Sequence, residues 1–328
     1  MSNDKRLRVA LIWGGRGFES EVSKRGKDHV LPILCEKYDV LSTFIDKNGQ
    51  WICNGRQVFI AEGGFIDEGG RRISIDCAIP LLHGDYGEDG VVQGALENGK
   101  IPYIGCDTSA SAICRDKSIL KAVAEGLGIP TLPFVRLLSC EGIDFAVRQV
   151  EASLHYPIFI KPCRLGSSVG ATAVRDRSEL ILALKFAFSL CDRAMAEPCL
   201  TVKRELECAY FCADGREIFG FPGEILLEGT YGYEEKYTRH TGLSVRADIS
   251  DAIAHTIRDY SRRLTRALGI RDMSRIDFFL SGEELYFNEI NTFPGFTEGS
   301  LYAKMIEAAG VPEAELFDRL IRRAIRRG

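Results

Sequence analysis

Residues Arg275–Ser300 read RIDFFLSGEELYFNEINTFPGFTEGS. Two short strands, Arg275–Leu280 and Leu285–Asn291, flank the turn-rich Ser281–Glu284. Side chains two apart on a strand share a face, so Glu289 and Asn291 point the same way, as do Arg275 and Asp277. A register that sets Asp277 beside the first pair brings three oxygen donors together. Hard donors of this kind suit Mg²⁺, which keeps substrate phosphates and waters as its other ligands. On its own, D…E-x-N also reads as an acidic hairpin facing water. Its surroundings favour the site: Asn291 leads into Thr-Phe-Pro-Gly, whose Pro-Gly turn aims backbone N–H groups inward. A cation, carboxylates and free backbone donors are the parts that phosphoryl transfer requires.

A second stretch, Ile158–Gly170 (IFIKPCRLGSSVG), supplies complementary parts. Lys161 ends a strand, and Gly166–Gly170 forms a loop of donors. Its glycines let the backbone approach a triphosphate, and the Ser167 and Ser168 hydroxyls and N–H groups bind oxygens. It is not a Walker loop, because the lysine precedes the glycines and no G-K-[ST] follows. The plainer alternative is an ordinary hairpin.

Earlier in the chain, Arg8–Trp13 is a buried-type strand that breaks at Gly14-Gly15 without the full G-x-G-x-x-G pattern. A loop and an amphipathic helix follow, with Glu21-Val22-Ser23 at the helix start; there Glu21 also reads as a first-turn carboxylate complementing the helix dipole. Asp39–Asp46 is a strand with a hairpin turn at Asn48-Gly49. The buried strand Ser74–Leu82 runs into His83–Gly90 (HGDYGEDG), which places that loop at the sheet's carboxyl edge, where open α/β sheets bind ligands. Metal binding by His83, Asp85 and Glu88 is the alternative, with no second nearby histidine to support it. Ile101–Gly105 is a further short strand. Asp116–Glu125, Arg177–Leu190, Asp251–Leu268 and a segment from about Glu313 read as helices.

With 328 residues the chain buries ample core and makes two or three domains. Its net charge of −4 gives no reason to expect nucleic acid or an anionic membrane as partner. The basic run Arg319–Arg327 reads as the solvated face of a final helix. Eleven cysteines without a C-x-x-C pair fit reduced thiols in a cytoplasmic protein better than a disulfide framework. The apolar run Val9–Trp13 is too short for a signal peptide or a membrane span.

The acidic hairpin resembles the metal-binding end of the ATP-grasp superfamily, and R-I-D…N-E-I-N-T-x-P-G-x-T is similar to the D-alanine–D-alanine ligase family. The Gly-Ser loop resembles the ATP-grasp phosphate lid. E-V-S, H-G-x-x-G-E-D-G and Tyr-x-Tyr-Glu-x-Lys-Tyr at residues 231–237 resemble further family motifs, in the family's order. The resemblance implies an α/β, three-domain ATP-grasp ligase: an N-terminal Rossmann-like domain at residues 1–107, a central one at 108–201 and a C-terminal one at 202–328.

It also implies ATP between the last two domains, with Mg²⁺ (two ions, or Mn²⁺) on Asp277, Glu289 and Asn291. Lys117, Lys161, Ser168 and Lys236 then meet phosphate, the segment Glu197–Leu200 meets adenine, and Glu205 holds the ribose, with Glu207 one register slip away. Glu21 takes the ammonium of the first D-alanine, beside Ser167 and Tyr237, and His83 lies next to the substrate. Arg275 and the Gly295 N–H hold the oxyanion, and Ser300 and Leu301 lie against the second amino acid. The product is D-alanyl-D-alanine, a peptidoglycan precursor, made by a homodimer. The match weakens after Tyr237, where Arg246 stands in place of a proline common in relatives. The same parts serve a D-Ala–D-Ser or D-Ala–D-lactate ligase. A non-catalytic ATP-binding regulator would have lost a metal ligand or the arginine, and none is missing.

Overall fold

The structure is a computed structural model, and it describes residues 6–17, 19–200, 203–227 and 240–328. Val9–Ile12 is fully buried because its strand, Arg8–Gly14, lies between two parallel neighbours, Asp39–Ile45 and Cys77–Pro80. A continuous apolar run is what a parallel strand covered on both faces needs. From Asp39–Ile45 the sheet continues as an antiparallel meander through 51–53, 56–61, 64–67 and 72–74, seven strands in all. The expected turn at Asn48-Gly49 is present: Asp46 accepts N–H bonds from Asn48 and Gln50, and Gly49 has φ +84°.

Two expectations need correction here. Ser74–Leu82 is not one strand: Arg72–Ser74 ends the meander on one edge, and Cys77–Pro80 pairs on the opposite edge. The chain crosses between them at Ile75-Asp76, where Asp76 accepts the Arg8 N–H at 2.6 Å. Ile101–Gly105 contributes a single bridge, Ala78 to Tyr103, rather than a strand; Pro102 has no N–H to donate to a longer ladder.

The second sheet is antiparallel, in the order 172–174, 158–162, 193–198, 135–138. Helices Ile143–Ser153 and Arg177–Leu190 supply Val147, Val150, Leu180 and Leu184 to a core with Ile158 and Ile160. The third sheet is also antiparallel and is built on the long strand Arg204–Ala213, which pairs with Met273–Ser281; the latter pairs in turn with Glu284–Asn291. Ile276, Phe278 and Leu280 alternate into a core with Ile257 and Leu264 of helix Asp251–Ala267, leaving Arg275, Asp277 and Phe279 on the other face. Helices Leu301–Ala308 and Glu313–Arg327 join this sheet to the first one, with Phe296, Phe317 and Leu320 packed in one cluster with Leu11 and Ile79. No helix among the described residues is long and apolar enough to cross a membrane.

The final helix is not merely solvated. Arg323 and Arg327 reach Asp272, which has no exposed surface, at 3.4 and 3.0 Å, and the Gly105 N–H donates to the same carboxylate at 2.8 Å. Asp272→Ala leaves two guanidiniums and a buried N–H without their acceptor. The expected cost is about 3 kcal/mol, read as a lower urea midpoint at unchanged slope; an unmoved midpoint removes this clamp from the account.

Candidate active site

The hairpin register answers the question the sequence poses. Asp277 pairs with Glu289 and Arg275 with Asn291, so all four stand together on the face turned from the core. Asn291 Nδ2 donates to Asp277 Oδ2 at 3.1 Å, and Arg275 forks onto Asp277 at 2.8 and 2.7 Å. A bulge follows: Phe278 pairs with Phe287, so Asn288 is an extra residue. It lets Asn288 and Glu289, neighbours in sequence, both line the cleft.

Cations approach from the second sheet and its entry helix. Asp116 caps helix Lys117–Gly126 by accepting the Ile119 N–H, and it is held by Arg193 at 2.8 Å. That cap fixes Lys117 as the first helical residue, with Nζ 2.8 Å from the Leu165 carbonyl oxygen and 3.1 Å from Glu289. One turn on, the fully buried Lys121 contacts Glu197. Lys161 touches the same carboxylate at 2.6 Å and reaches Asn288 Oδ1 at 3.5 Å.

Two buried ammoniums on one carboxylate make an unbalanced site. Burial, then Lys121 and Lys117, push Lys161 well below the usual lysine range. Burial disfavours charge on Glu289 too, but Lys117 and Lys161 overcome it and hold the carboxyl at about 2. Burial pushes Glu207 up to about 7 against the pull of Arg275, whose Nε lies 3.2 Å away. For Arg275 itself burial is outweighed by Asp277 and Glu207, which keep it charged.

Lys117, Arg275, Asp277, Asn288, Glu289 and Asn291 line a cavity of about 380 Å³, within the span of small-molecule sites, roughly 300–1,000 Å³. The expected phosphate ligand Lys161, like Lys121 and Glu197, is not part of that lining and reaches it only through Asn288. Ser167, Ser168, Gly295, His83, Glu205 and Glu207 also line the cavity. Ser167 and Ser168 have φ of +50° and +55°, which turns the Gly-Ser loop over the cavity. His83 is buried, its Nε2 lacks a partner, and burial lowers its pKa. Glu205 and Glu207 share a face, but Glu207 pairs in register with Asp277 and Glu205 with Phe279, one step farther out.

Several expected residues lie elsewhere. Glu21 is exposed, and Glu19 faces the cavity, accepting the Ser167 hydroxyl at 2.6 Å. The reason is helical phase: Ser23, Gly26, Val30 and Leu34 are the buried positions of helix Ser20–Cys35, and Glu19 continues that row at a spacing of four. The Glu197 side chain is spent on the two lysines, which does not bear on the segment's backbone groups, the ones the resemblance aims at adenine; Leu200 does not line the cavity. Leu301 is buried in the core against the final helices, and the Ser300 hydroxyl accepts the Thr297 N–H at 2.8 Å instead of lining the cavity. Lys236 and Tyr237 fall outside the described residues. Arg115, Lys121 and Asn288 are not singled out by the sequence motifs, and Glu88 appears there only as an alternative metal ligand. Lys121 carried a signal, since it follows Lys117 by four and so shares its helix face.

No three Asp, Glu, His or Cys among the described residues already form a metal-binding group. The donor set nevertheless fits a hard cation: two carboxylates and an amide on one face of the hairpin, beside a buried Glu207 oxygen with no partner.

A carboxylate hairpin set across a cleft from clustered lysines, on facing α/β layers, defines an ATP-grasp ligase. The family descriptions "D-ala D-ala ligase N-terminus" and "D-ala D-ala ligase C-terminus" match residues 8–106 and 123–322. The chain belongs to the D-alanine–D-alanine ligase family. It is 38% identical to the D-alanine–D-alanine ligase of Solibacter usitatus, over 98% of this chain and 96% of the relative. With that of Bradyrhizobium sp. (strain ORS 278) it shares 35% identity, over 98% and 96%. Among solved structures, D-alanyl-alanine synthetase A from Vibrio cholerae superposes with a TM-score of 0.89 at 29% identity, covering 98% of this chain and 99% of that one. A D-Ala:D-Ser ligase from Enterococcus faecalis gives 0.88 at 32%, covering 98% and 100%.

Proposed function

We propose that the chain joins two D-alanines into D-alanyl-D-alanine through an acyl phosphate, consuming ATP, as a homodimer in the cytoplasm. The observation that carries this reading is the meeting of Asp277, Glu289 and Asn291 with Lys117 across one cleft, with Lys161 behind Asn288. In this reading Lys117, Lys161 and the loop Gly166–Gly170, including Ser168, bind the triphosphate as charges and donors. Glu205 takes the ribose, a reading supported by its place on the cavity wall one register step farther from Asp277 than Glu207. Asp277, Glu289 and Asn291 hold Mg²⁺, which when bound neutralises phosphate charge.

Glu19, rather than Glu21, receives the first ammonium, a role supported by its place beside Ser167 on the cavity wall. The first carboxylate attacks the γ-phosphorus, and ADP leaves. The second amine attacks the acyl carbon, inorganic phosphate leaves, and Arg275 with the Gly295 N–H stabilises the tetrahedral oxyanion between those steps. His83, neutral and with a free ring nitrogen, orients the substrate.

The test is ADP release and product mass with D-alanine, D-serine and D-lactate as acceptors at neutral pH. Dipeptide from D-alanine is the expected main product, with little ester. Mainly D-Ala–D-Ser, the activity named for the Enterococcus neighbour, or mainly ester, would overturn the acceptor and leave the ligase chemistry standing.

A further inference from the structure

Helix Thr108–Arg115 ends in a side chain only 9% exposed. Arg115 lines the cavity together with Glu19, His83 and Glu88. Its Nη2 donates to Asp85 Oδ1 at 2.9 Å, Nη1 stands 4.0 Å from Glu88 Oε2, and Nε is buried without a partner. Arg115 also runs beside Glu19 in a slot walled by two glycines. A Cβ on Gly84 would stand 2.5 Å from Glu19 Oε2 and 3.7 Å from Arg115 Nη2; one on Gly166 would stand 3.1 Å from Glu19 Oε2 and 3.5 Å from Arg115 Nη1. One guanidinium therefore faces three carboxylates from two chain segments: Glu19 before the first helix, and Asp85 and Glu88 in the loop after Cys77–Pro80.

We propose that Arg115 is a positioning residue for the amino-acid end of the cavity: it clamps the loop His83–Gly90 against Glu19, so that Glu19 is presented to the substrate ammonium. The proposal rests on the ligase reading above. Arg115 itself touches no reacting atom in it. Without the guanidinium the largely buried Glu88 and the glycine-walled Glu19 repel each other, with the more exposed Asp85 beside them, and no cation among the described residues stands between them. The other charged or titratable groups facing the cluster do not replace it: His83 is pushed toward its neutral form by burial, and Arg275 is engaged by Asp277 and Glu207.

Glu88 reports the clamp. Ionised, it accepts the Gly84 N–H at 2.8 Å and so fixes the loop beside Glu19. Burial pushes it up to about 7, Arg115 is the strongest pull downward, and Glu19 adds to the rise. Removing Arg115 leaves burial and Glu19 without their main opponent, so Glu88 takes up its proton at a higher pH. The acid limb of kcat/KM for D-alanine then moves upward.

The experiment uses full-length Arg115→Met and Arg115→Lys, with kcat and KM for D-alanine and for ATP measured across the pH range. For Arg115→Met, KM for D-alanine is expected to rise roughly tenfold, and the acid limb to move up by roughly one pH unit; KM for ATP stays within about twofold. Arg115→Lys, a shorter cation, moves the limb part of the way, and it carries the test alone if the Met variant folds poorly. An equal fall in kcat at every pH, with an unmoved limb, assigns a purely structural role and overturns the proposal. Absence of D-alanine-dependent ADP release in the unaltered protein removes the ligase reading itself, and is seen before any variant is made.

Discussion

Glu289→Gln is expected to lower Mg²⁺-dependent turnover on the order of a thousandfold, about 4 kcal/mol of barrier. The amide keeps the shape and the neutral hydrogen-bonding capacity of the side chain but removes the anion that burial makes valuable. The fold should survive, because Glu289 is surrounded by polar cleft groups and Lys117 retains the Leu165 carbonyl. Two readouts separate the outcomes. Far-ultraviolet circular dichroism and the urea midpoint should stay near those of the unaltered protein, while the Mg²⁺ concentration for half-maximal activity climbs steeply. Unchanged Mg²⁺-dependent activity would remove Glu289 from the metal-binding set and leave the hairpin an ordinary acidic surface.

Lys161→Ala carries the second large effect, and the geometry sets its direction. Glu197 now serves two lysines; without Lys161 it forms a matched pair with Lys121, and Glu289 keeps Lys117, so neither carboxylate is left without a cation. ATP binding should therefore weaken on the order of a hundredfold, the cost of losing a desolvated point charge to phosphate, while stability is kept. D-alanine binding should change little, because Glu19 and His83 line the cavity and Lys161 does not. Calorimetric titration with a non-hydrolysable ATP analogue measures the first quantity. Equal weakening toward both ligands would show that Lys161 serves the whole domain.

What the sequence discloses and what it conceals divides along physical lines. Period-two alternation put Glu289 with Asn291 and Arg275 with Asp277, and pairing in the structure made the two sets direct neighbours. The Gly-Ser loop was legible because glycine and serine at those spacings have few other uses. Glu19 was hidden behind Glu21: both are acidic and near a helix start, and only the phase of Ser23, Gly26 and Val30 tells them apart. Leu301 was misplaced because the same apolar residue fits a core and a substrate wall. The buried Glu197 and the Arg115 cluster depend on segments far apart in the chain meeting in space, a fact with no local signal.

The extra residue at Asn288 has a consequence for how much variation this hairpin can bear. The two ends of the strand Glu284–Asn291 are not equivalent. Before Phe287 the ladder is regular, and changes in the length of the turn at Ser281–Glu284 are absorbed at the rim, where solvent meets the chain. Between Phe287 and Asn291 the count itself sets the chemistry. Losing one residue there would rotate either the core residues Phe287 and Ile290 outward or Glu289 and Asn291 inward. The short segment acts as a vernier between a greasy face and a wet one. Natural variation should therefore show length differences on one side of Phe287 and none on the other.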